Sequence, residues 1–272
     1  MNRSRLLSIS LIVAVDVLGL TLVIPLLPFY AERYGASPSV VGLLVSAYAA
    51  CQLISGPFLG SLSDRFGRRP VLIASQIGTF IGFLILARAN ALWMIFLSRL
   101  IDGSTAGNLS VAQAYIADVT KPEDRAKSFG IIGMAFGFGF LIGPAISGFL
   151  SHYSFTYPVY MAAGLSFLSI LGTVFILPEP ERHVSPIEER KLGLFQFATY
   201  GKDFRNPKIS STILQFCAFF MAFSIFIAGI ALFSERRFVW DGRPFGPREV
   251  GYLFAYTGLL GIFIQGGFLG RM

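Results

Sequence analysis

Charged side chains are scarce in this sequence. Only 14% of its 272 residues are Asp, Glu, Lys or Arg, whereas 54% are hydrophobic, and the mean hydropathy is +0.66. A soluble domain needs more polar residues than this to cover its surface. The composition therefore excludes an ordinary soluble protein and indicates a chain that is surrounded by lipid.

Cysteine and histidine are also scarce, with two residues of each. Cys51 and Cys217 fall in apolar stretches without CxxC or Cys/His spacing, so a disulfide framework or a metal site has little support. His152 and His183 lie in loops or at the ends of apolar stretches, and no nucleophile is paired with a base. There is no G-x-x-x-x-G-K-[ST] phosphate loop, and no strand precedes the glycine-rich GFGFLIG. We expect neither an enzyme, nor a bound metal or cofactor, nor ATP-driven transport.

Eight apolar stretches make up most of the chain. Each is close to or above the ~20 residues that cross a bilayer as a helix, and they cover residues 6–30, 40–62, 70–87, 91–117, 128–150, 156–177, 209–233 and 249–270. The residue-by-residue alternation of a membrane β-barrel is missing. Because hydrocarbon offers the backbone no partners, these stretches predict an all-α, multi-pass membrane protein. The first stretch is too long for a signal peptide and is expected to be retained.

The basic residues predict the orientation in the membrane. If the N-terminus is cytoplasmic, fifteen of the 22 Lys and Arg residues fall on the cytoplasmic side, six fall on the opposite side, and Arg99 lies within a span. Cytoplasmic loops of membrane proteins carry this excess. The net charge of +7 is then explained by topology, and we expect a cytoplasmic N-terminus and no nucleic-acid partner.

Residues 37–62 are repeated in 246–272. The pattern P-x-x-V-G at 38–42 returns at 247–251, and G-x-F-L-G at 56–60 returns at 266–270, with nearly constant offsets. A second span repeated as an eighth span indicates a six-helix unit used twice. We therefore predict an N-terminal six-helix bundle over 1–177, a cytoplasmic interdomain loop over 178–208 and two helices of a second bundle over 209–272. This interpretation implies a chain truncated after its eighth helix.

The loop between the second and third stretches carries the pattern G-x-L-x-D-R-x-G-R-R. Its polar and glycine positions are Gly60, Asp64, Arg65, Gly67, Arg68 and Arg69. Glycines allow two helix ends to approach and turn, and an acid beside arginines gives a charge cluster that can form and break. The pattern resembles the signature loop of the major facilitator superfamily, which is built from two six-helix bundles. That resemblance implies a gating network of Asp64, Arg68 or Arg69, and Asp118; the alternative is that the arginines only set the topology.

Ionisable residues within the apolar stretches are the candidates for proton coupling. Asp16 is near the middle of the first stretch, where a carboxylate must find a partner or hold its proton. Arg99 and Asp102 lie at i and i+3 in the fourth stretch. A buried arginine costs at least ~2.5 kcal/mol in hydrocarbon, which marks it as functional by default. The alternatives are that Asp16 only fixes helix packing and that Arg99 and Asp102 form a structural pair.

Further motifs extend the resemblance. The pattern D-x-x-G-x-x-x-x-x-P-x-x-P at 16–28 is similar to the first helix of the drug:proton antiporters, the tetracycline exporters among them. R-x-x-x-G at 99–103 resembles the fourth-helix motif linked to proton transfer, and LPE at 177–179 looks like the end of the family's sixth helix. The antiporter motif of the fifth helix is matched at Gly139, Gly143, Pro144 and Gly148. Taken alone, glycines four residues apart indicate only close helix packing.

Polar side chains in the second and fourth spans are expected to face a substrate cavity. They are Tyr48, Gln52, Asn108 and Gln113. Gly261 stands where the tetracycline exporters carry a histidine in the eighth helix, and this departure argues against tetracycline itself as the substrate.

The resemblance implies a monomeric secondary transporter of the bacterial inner membrane. It would exchange a small hydrophobic or amphipathic compound for protons by alternating access. The alternative is a non-transporting membrane sensor or the remnant of a transporter. A gene that continues past Met272 with four more spans would favour the transporter, and a natural stop there would favour the alternative.

Overall fold

The computed structural model describes residues 3–180 and 207–267. Apart from one short hairpin, the regular secondary structure of these residues is helical. The α-helices, in chain order, are α1 (Arg3–Val23), α2 (Leu27–Glu32), α3 (Pro38–Phe66), α4 (Arg68–Ala87), α5 (Leu92–Ser104), α6 (Asn108–Val119), α7 (Arg125–Ser151), α8 (Thr156–Phe175), α9 (Pro207–Arg237) and α10 (Pro247–Gly267). A 3-10 turn, Pro122–Asp124, precedes α7, and two strands, β1 (Val239–Trp240) and β2 (Arg243–Pro244), connect α9 to α10.

Among the residues that the structure describes, six helices are long and apolar enough to cross a membrane, namely α1, α3, α4, α7, α8 and α9. The predicted eighth span corresponds to α10. The predicted first span, 6–30, is divided into α1 and the short α2. Pro25 lies at this break. A proline has no amide hydrogen to donate to the preceding turn, so it favours the end of a helix here.

The predicted fourth span, 91–117, is not one helix, and this corrects the sequence expectation. It is divided into α5 and α6 at residues 105–107. The hydroxyl of Ser75, on α4, donates to the carbonyl of Thr105 and accepts from the amide of Gly107, whose nitrogen is 2.9 Å from Ser75 Oγ. A contact from a neighbouring helix thus satisfies the backbone groups that the break releases.

The helices of the first bundle pack around α1 and α4. Helix α1 contacts α6, α7 and α8, and helix α4 contacts α3, α5, α6 and α8. Two buried apolar clusters fill the interior: one contains Leu22, Tyr30 and Phe83, and the other contains Ile9 and Tyr115. Along α4, buried Ser75 and Gln76 lie between the members of the two clusters. Gln76 belongs to a band of polar side chains that is described below.

Helices α9 and α10 lie beside this bundle. Helix α10 packs against α7, while α9 contacts α2, α3 and α10. A third apolar cluster joins Phe29 of α2 to Ala231 of α9 and to Val250 and Phe254 of α10. Residues 181–206, most of the predicted interdomain loop, lie outside the described residues, as do residues 268–272.

The hairpin between α9 and α10 was not predicted. Val239 pairs with Pro244 and Trp240 pairs with Arg243 in antiparallel register. The two turn residues, Asp241 and Gly242, have φ values of 52° and 74°. An Asp-Gly pair with both φ values positive is typical of a tight two-residue hairpin, so the dipeptide was the available signal.

Candidate functional site

The loop between α3 and α4 is organised by Arg68. Its Nη1 lies 2.6 Å from Asp64 Oδ1 and donates to Ser63 Oγ at 2.6 Å, while its Nε donates to Asp118 Oδ2 at 2.8 Å. One guanidinium therefore joins the end of α3 to the end of α6. The structure brings together Asp64, Arg68 and Asp118, three members of the predicted gating network.

Arg69 makes different contacts from those expected. Its Nε donates to the carbonyl of Thr173 at 3.1 Å, and its Nη2 donates to the carbonyl of Val174. Both carbonyls belong to the last turn of α8, where no intrahelical donor is left for them. The Arg69 side chain therefore connects α4 to α8 and does not join the Asp64 and Asp118 carboxylates. The guanidinium of Arg65 lies 5.5 Å from the ring centre of Phe66.

Glu179 belongs to the same cluster, and its role was not predicted. Its carboxylate accepts from the backbone amides of Arg68 at 2.7 Å and of Arg69 at 3.0 Å. A carboxylate at a helix N-terminus satisfies free amides and opposes the positive end of the helix dipole. Gly67 permits this approach, because a Cβ there would lie 2.8 Å from Glu179 Oε1 and the residue has φ 109°. The LPE pattern was the only signal.

Gly60 contacts this cluster through its backbone alone, since its carbonyl accepts from Ser63 Oγ at 2.7 Å. A Cβ built on Gly60 would meet no atom within 4 Å among the described residues. The same is true of Gly42 and Gly56 on the same helix. The structure therefore places these glycines on an open face of α3.

A band of polar groups surrounds Asp16 in the interior of the bundle. The amide nitrogen of Gln76, on α4, donates to Asp16 Oδ2 at 3.3 Å and to Ser169 Oγ, on α8, at 2.8 Å. The Ser169 side chain also hydrogen-bonds to Asp16. Gln76 is completely buried and Asp16 is half-buried. Three helices thus meet at the Asp16 carboxylate. The polar band has three members, Asp16, Gln76 and Ser169, and the sequence analysis identified only Asp16.

Arg99 and Asp102 form an ion pair inside the bundle. Arg99 Nη1 lies 3.3 Å from Asp102 Oδ2, and the two side chains are only 4% and 3% exposed. The guanidinium also lies 5.9 Å from the ring centre of Tyr48 and 6.0 Å from that of Phe83. The Thr79 side chain hydrogen-bonds to Asp102. Removing either charge would leave the other buried and unpaired, which is costly.

The predicted cavity residues do not form one group. Gln52 Nε2 donates to the Tyr48 hydroxyl at 3.4 Å, and Gln52 is exposed. Asn108 is half-buried, and its Oδ1 has no hydrogen-bond partner among the described residues. Gln113 is exposed and lines a separate groove with Phe129 and Ile132. Only Tyr48 and Gln52 are in contact, and Tyr48 links them to Arg99.

The fifth-helix motif contacts two different helices. Side chains added at Gly139 and Gly143 would collide with α1: a Cβ at Gly139 would lie 2.7 Å from Val17, and one at Gly143 would overlap Thr21. Gly148 instead approaches α10, where a Cβ would lie 3.1 Å from the Cα of Arg248.

Pro144 also approaches α10, and its carbonyl oxygen would lie 2.5 Å from a Cβ at Gly251. Gly251 is the glycine of the second copy of the P-x-x-V-G pattern. Small residues on both partners let the backbones of α7 and α10 come close together. The motif therefore joins α7 to the first bundle along one face and to α10 along the other.

Comparisons with known proteins agree with this architecture. The sequence profile of the Major Facilitator Superfamily matches residues 9–272. The class B tetracycline resistance protein of Escherichia coli is 35% identical over all of this chain and 67% of its own length. Multidrug resistance protein 2 of Bacillus subtilis is 29% identical over all of this chain and 68% of its own length. The crystal structure of the human organic anion transporter MFSD10 matches 98% of this chain with a TM-score of 0.76 at 23% identity, and 72% of that chain is covered.

The chain belongs to the major facilitator superfamily, a family of membrane transporters. This membership confirms the predicted all-α membrane fold and the prediction of a transporter rather than an enzyme. It also confirms the resemblance to the drug exporters, because the relatives include tetracycline and multidrug resistance proteins. The chain spans about two thirds of the length of these relatives.

Proposed function

We propose that this chain forms part of a proton-coupled antiporter that exports a small hydrophobic or amphipathic compound, with Asp16 as the proton carrier. The observation that carries this proposal is the position of Asp16, in the interior of the bundle with Gln76 and Ser169 as its partners. An ionisable group within a membrane span is costly to keep unless it serves transport or pairing. The relatives named for tetracycline and multidrug resistance support a lipophilic substrate.

One proton per substrate suffices for useful export. A charge that moves through 100 mV supplies ~2.3 kcal/mol, which corresponds to a substrate gradient of about fifty-fold. Asp16 can take part in this exchange only if it is open to one side of the membrane at a time. The proposed function therefore requires alternating access.

Contacts at opposite ends of the molecule support alternating access. The Asp64, Arg68 and Asp118 network lies at the end that we propose to be cytoplasmic, together with the N-terminus. At the other end, Nη2 of Arg236, on α9, lies 3.2 Å from Oε1 of Glu32, on α2. We propose that residues 1–177 form one bundle, that 178–208 connect it to the bundle beginning at 209–272, and that the two bundles rock against each other along α7 and α10.

Reconstitution of the full-length protein in liposomes tests this function. With an inward proton gradient, addition of ethidium, a quinolone or tetracycline should cause a coupled pH change in the lumen for at least one compound. Liposomes without protein provide the baseline. Substrate movement that is indifferent to the imposed pH gradient would contradict proton coupling, and no movement of any compound in the panel would contradict lipophilic export.

Asp64→Asn is expected to slow transport several-fold without weakening substrate binding. The substitution removes one of the two carboxylates that hold Arg68, and the proposed network controls interconversion and not the binding site. Turnover in liposomes and equilibrium binding of the same substrate measure the two effects separately. Glu123→Gln, an exposed acid in the neighbouring 3-10 turn, is the matched control. Unchanged turnover of Asp64→Asn would mean that the arginines of this loop serve topology alone.

A further inference from the structure

Gln76 contacts both other members of the polar band, Asp16 and Ser169, through its side-chain amide nitrogen. Its Nε2 donates to Asp16 Oδ2 at 3.3 Å and to Ser169 Oγ at 2.8 Å. Its backbone carbonyl accepts from Ser166 Oγ at 3.5 Å, which is a second contact to α8. The side chain is completely buried and cannot exchange these partners for water. The amide is therefore held between α1 and α8.

The chemistry of an amide restricts what Gln76 can do for a carboxylate. Its nitrogen donates only, so the contact to Asp16 favours the ionised carboxylate over the protonated acid at that oxygen. Its Oε1 has no hydrogen-bond partner among the described residues, although it is buried. A buried acceptor without a donor is unfavourable. Packing alone would be served as well by an apolar side chain of the same size, so the amide needs a different explanation.

The same face of α4 leads to the second ionisable site. Thr79 lies three residues after Gln76, about one helical turn further, and it hydrogen-bonds to Asp102. Asp102 is close enough for its charge to act on Asp16, and its own partner is Arg99. Among the described residues, Asp102 is thus the charged group of α5 that acts on Asp16, and Arg99 is the ion-pair partner of Asp102.

We propose that Gln76 is a positioning residue that orients the Asp16 carboxylate and stabilises its ionised form, so that the proton is released during each transport cycle. This inference rests on the proposed role of Asp16 as proton carrier. Gln76 does not receive the proton. It acts through Asp16, by donating to it when it is charged.

Infrared difference spectroscopy of the purified full-length protein tests the proposal without any substrate. Spectra taken at acidic and alkaline pH should contain a carboxylic acid C=O band that is absent from Asp16→Asn. In Gln76→Met, which keeps the side-chain length and removes the amide, this band should move to higher wavenumber, because fewer donors reach the carboxyl group. The midpoint of its pH titration should rise by about one pH unit, since the ionised form loses one hydrogen bond.

Ser75→Ala is the matched control. Ser75 is also buried on α4 and also hydrogen-bonds to a neighbouring segment, but its partners are Thr105 and Gly107. We expect the band and the midpoint to be unchanged in this variant. Equal shifts in Gln76→Met and Ser75→Ala would show general loosening of α4 and would overturn the proposal.

Two negative results are distinguishable. An Asp16-dependent band that keeps its position and midpoint in Gln76→Met would overturn the positioning role of Gln76 and leave Asp16 as a titrating group. The absence of any band that depends on Asp16 would overturn the proton-carrier role itself, and the role of Gln76 with it. Gln76→Glu serves as a second variant if Gln76→Met does not fold. The carboxyl of this glutamate can donate to Asp16 only while it keeps its own proton. The midpoint of the Asp16 titration should therefore rise in this variant as well.

Discussion

Asp16→Asn is expected to reduce proton-coupled export to the background level while the protein keeps its fold. Asparagine has the shape of aspartate and can still accept from Gln76 and Ser169, the two partners that the carboxylate has in the structure. What it cannot do is take up and release a proton. Because each cycle would use one such exchange, the loss should be nearly complete and not partial.

The measurement is substrate accumulation in liposomes under an imposed pH gradient, with uptake down a substrate gradient as the internal control. We expect the first to disappear and the second to survive, since the binding surface is unaltered. Thermal unfolding of the purified variant should remain within a few degrees of the parent protein. Accumulation at the parental level would remove Asp16 from the mechanism and would leave it as a residue that fixes helix packing.

The helices were predictable because the solvent dictates them. A backbone in hydrocarbon must satisfy its own polar groups, so an apolar stretch of about twenty residues has few alternatives to a helix. This constraint fails where another helix supplies the missing partner. Ser75 does so at the break between α5 and α6, and nothing in residues 91–117 taken alone reveals that contact.

The site was predictable only where a pattern fixes both partners. Asp64, Arg68 and Asp118 were proposed together and lie in contact. Gln76 was overlooked because a single amide in an apolar stretch is the same signal whether it faces lipid, a cavity or Asp16. The difference is set by the packing of α4 between α1 and α8, which a one-dimensional pattern does not contain.

The glycine motif of α7 shows the same limit. Its spacing predicts close packing, but the spacing does not identify the partner helix. Gly139 and Gly143 face α1, which belongs to the same bundle, whereas Gly148 faces α10. A substitution at one end of the motif should therefore affect the stability of the first bundle, and a substitution at the other end should affect its contact with α10.

Gly143→Val is expected to prevent the first bundle from folding correctly. A Cβ at this position would lie 2.8 Å from Thr21 Cβ and 3.0 Å from the Thr21 backbone carbon. Rotation of the threonine side chain cannot relieve a clash with its backbone, so α1 and α7 would have to separate. Overpacking of a core costs about 1–3 kcal/mol when side chains can adjust, and we expect a value at the upper end or above.

Gly133→Val is the matched control for this experiment, because the two sites share the helix and the change. Within the part of the chain that the structure describes, a Cβ at Gly133 would meet no atom within 4 Å, and the residue is exposed. Both variants alter helix propensity equally, so any difference between them reports on the contact with Thr21. We expect the yield of monodisperse protein and the melting temperature to fall sharply for Gly143→Val and to stay near the parental values for Gly133→Val. Equal melting temperatures would mean that α1 and α7 do not depend on this close approach, and the motif would then act only through the face of α7 that carries Gly148.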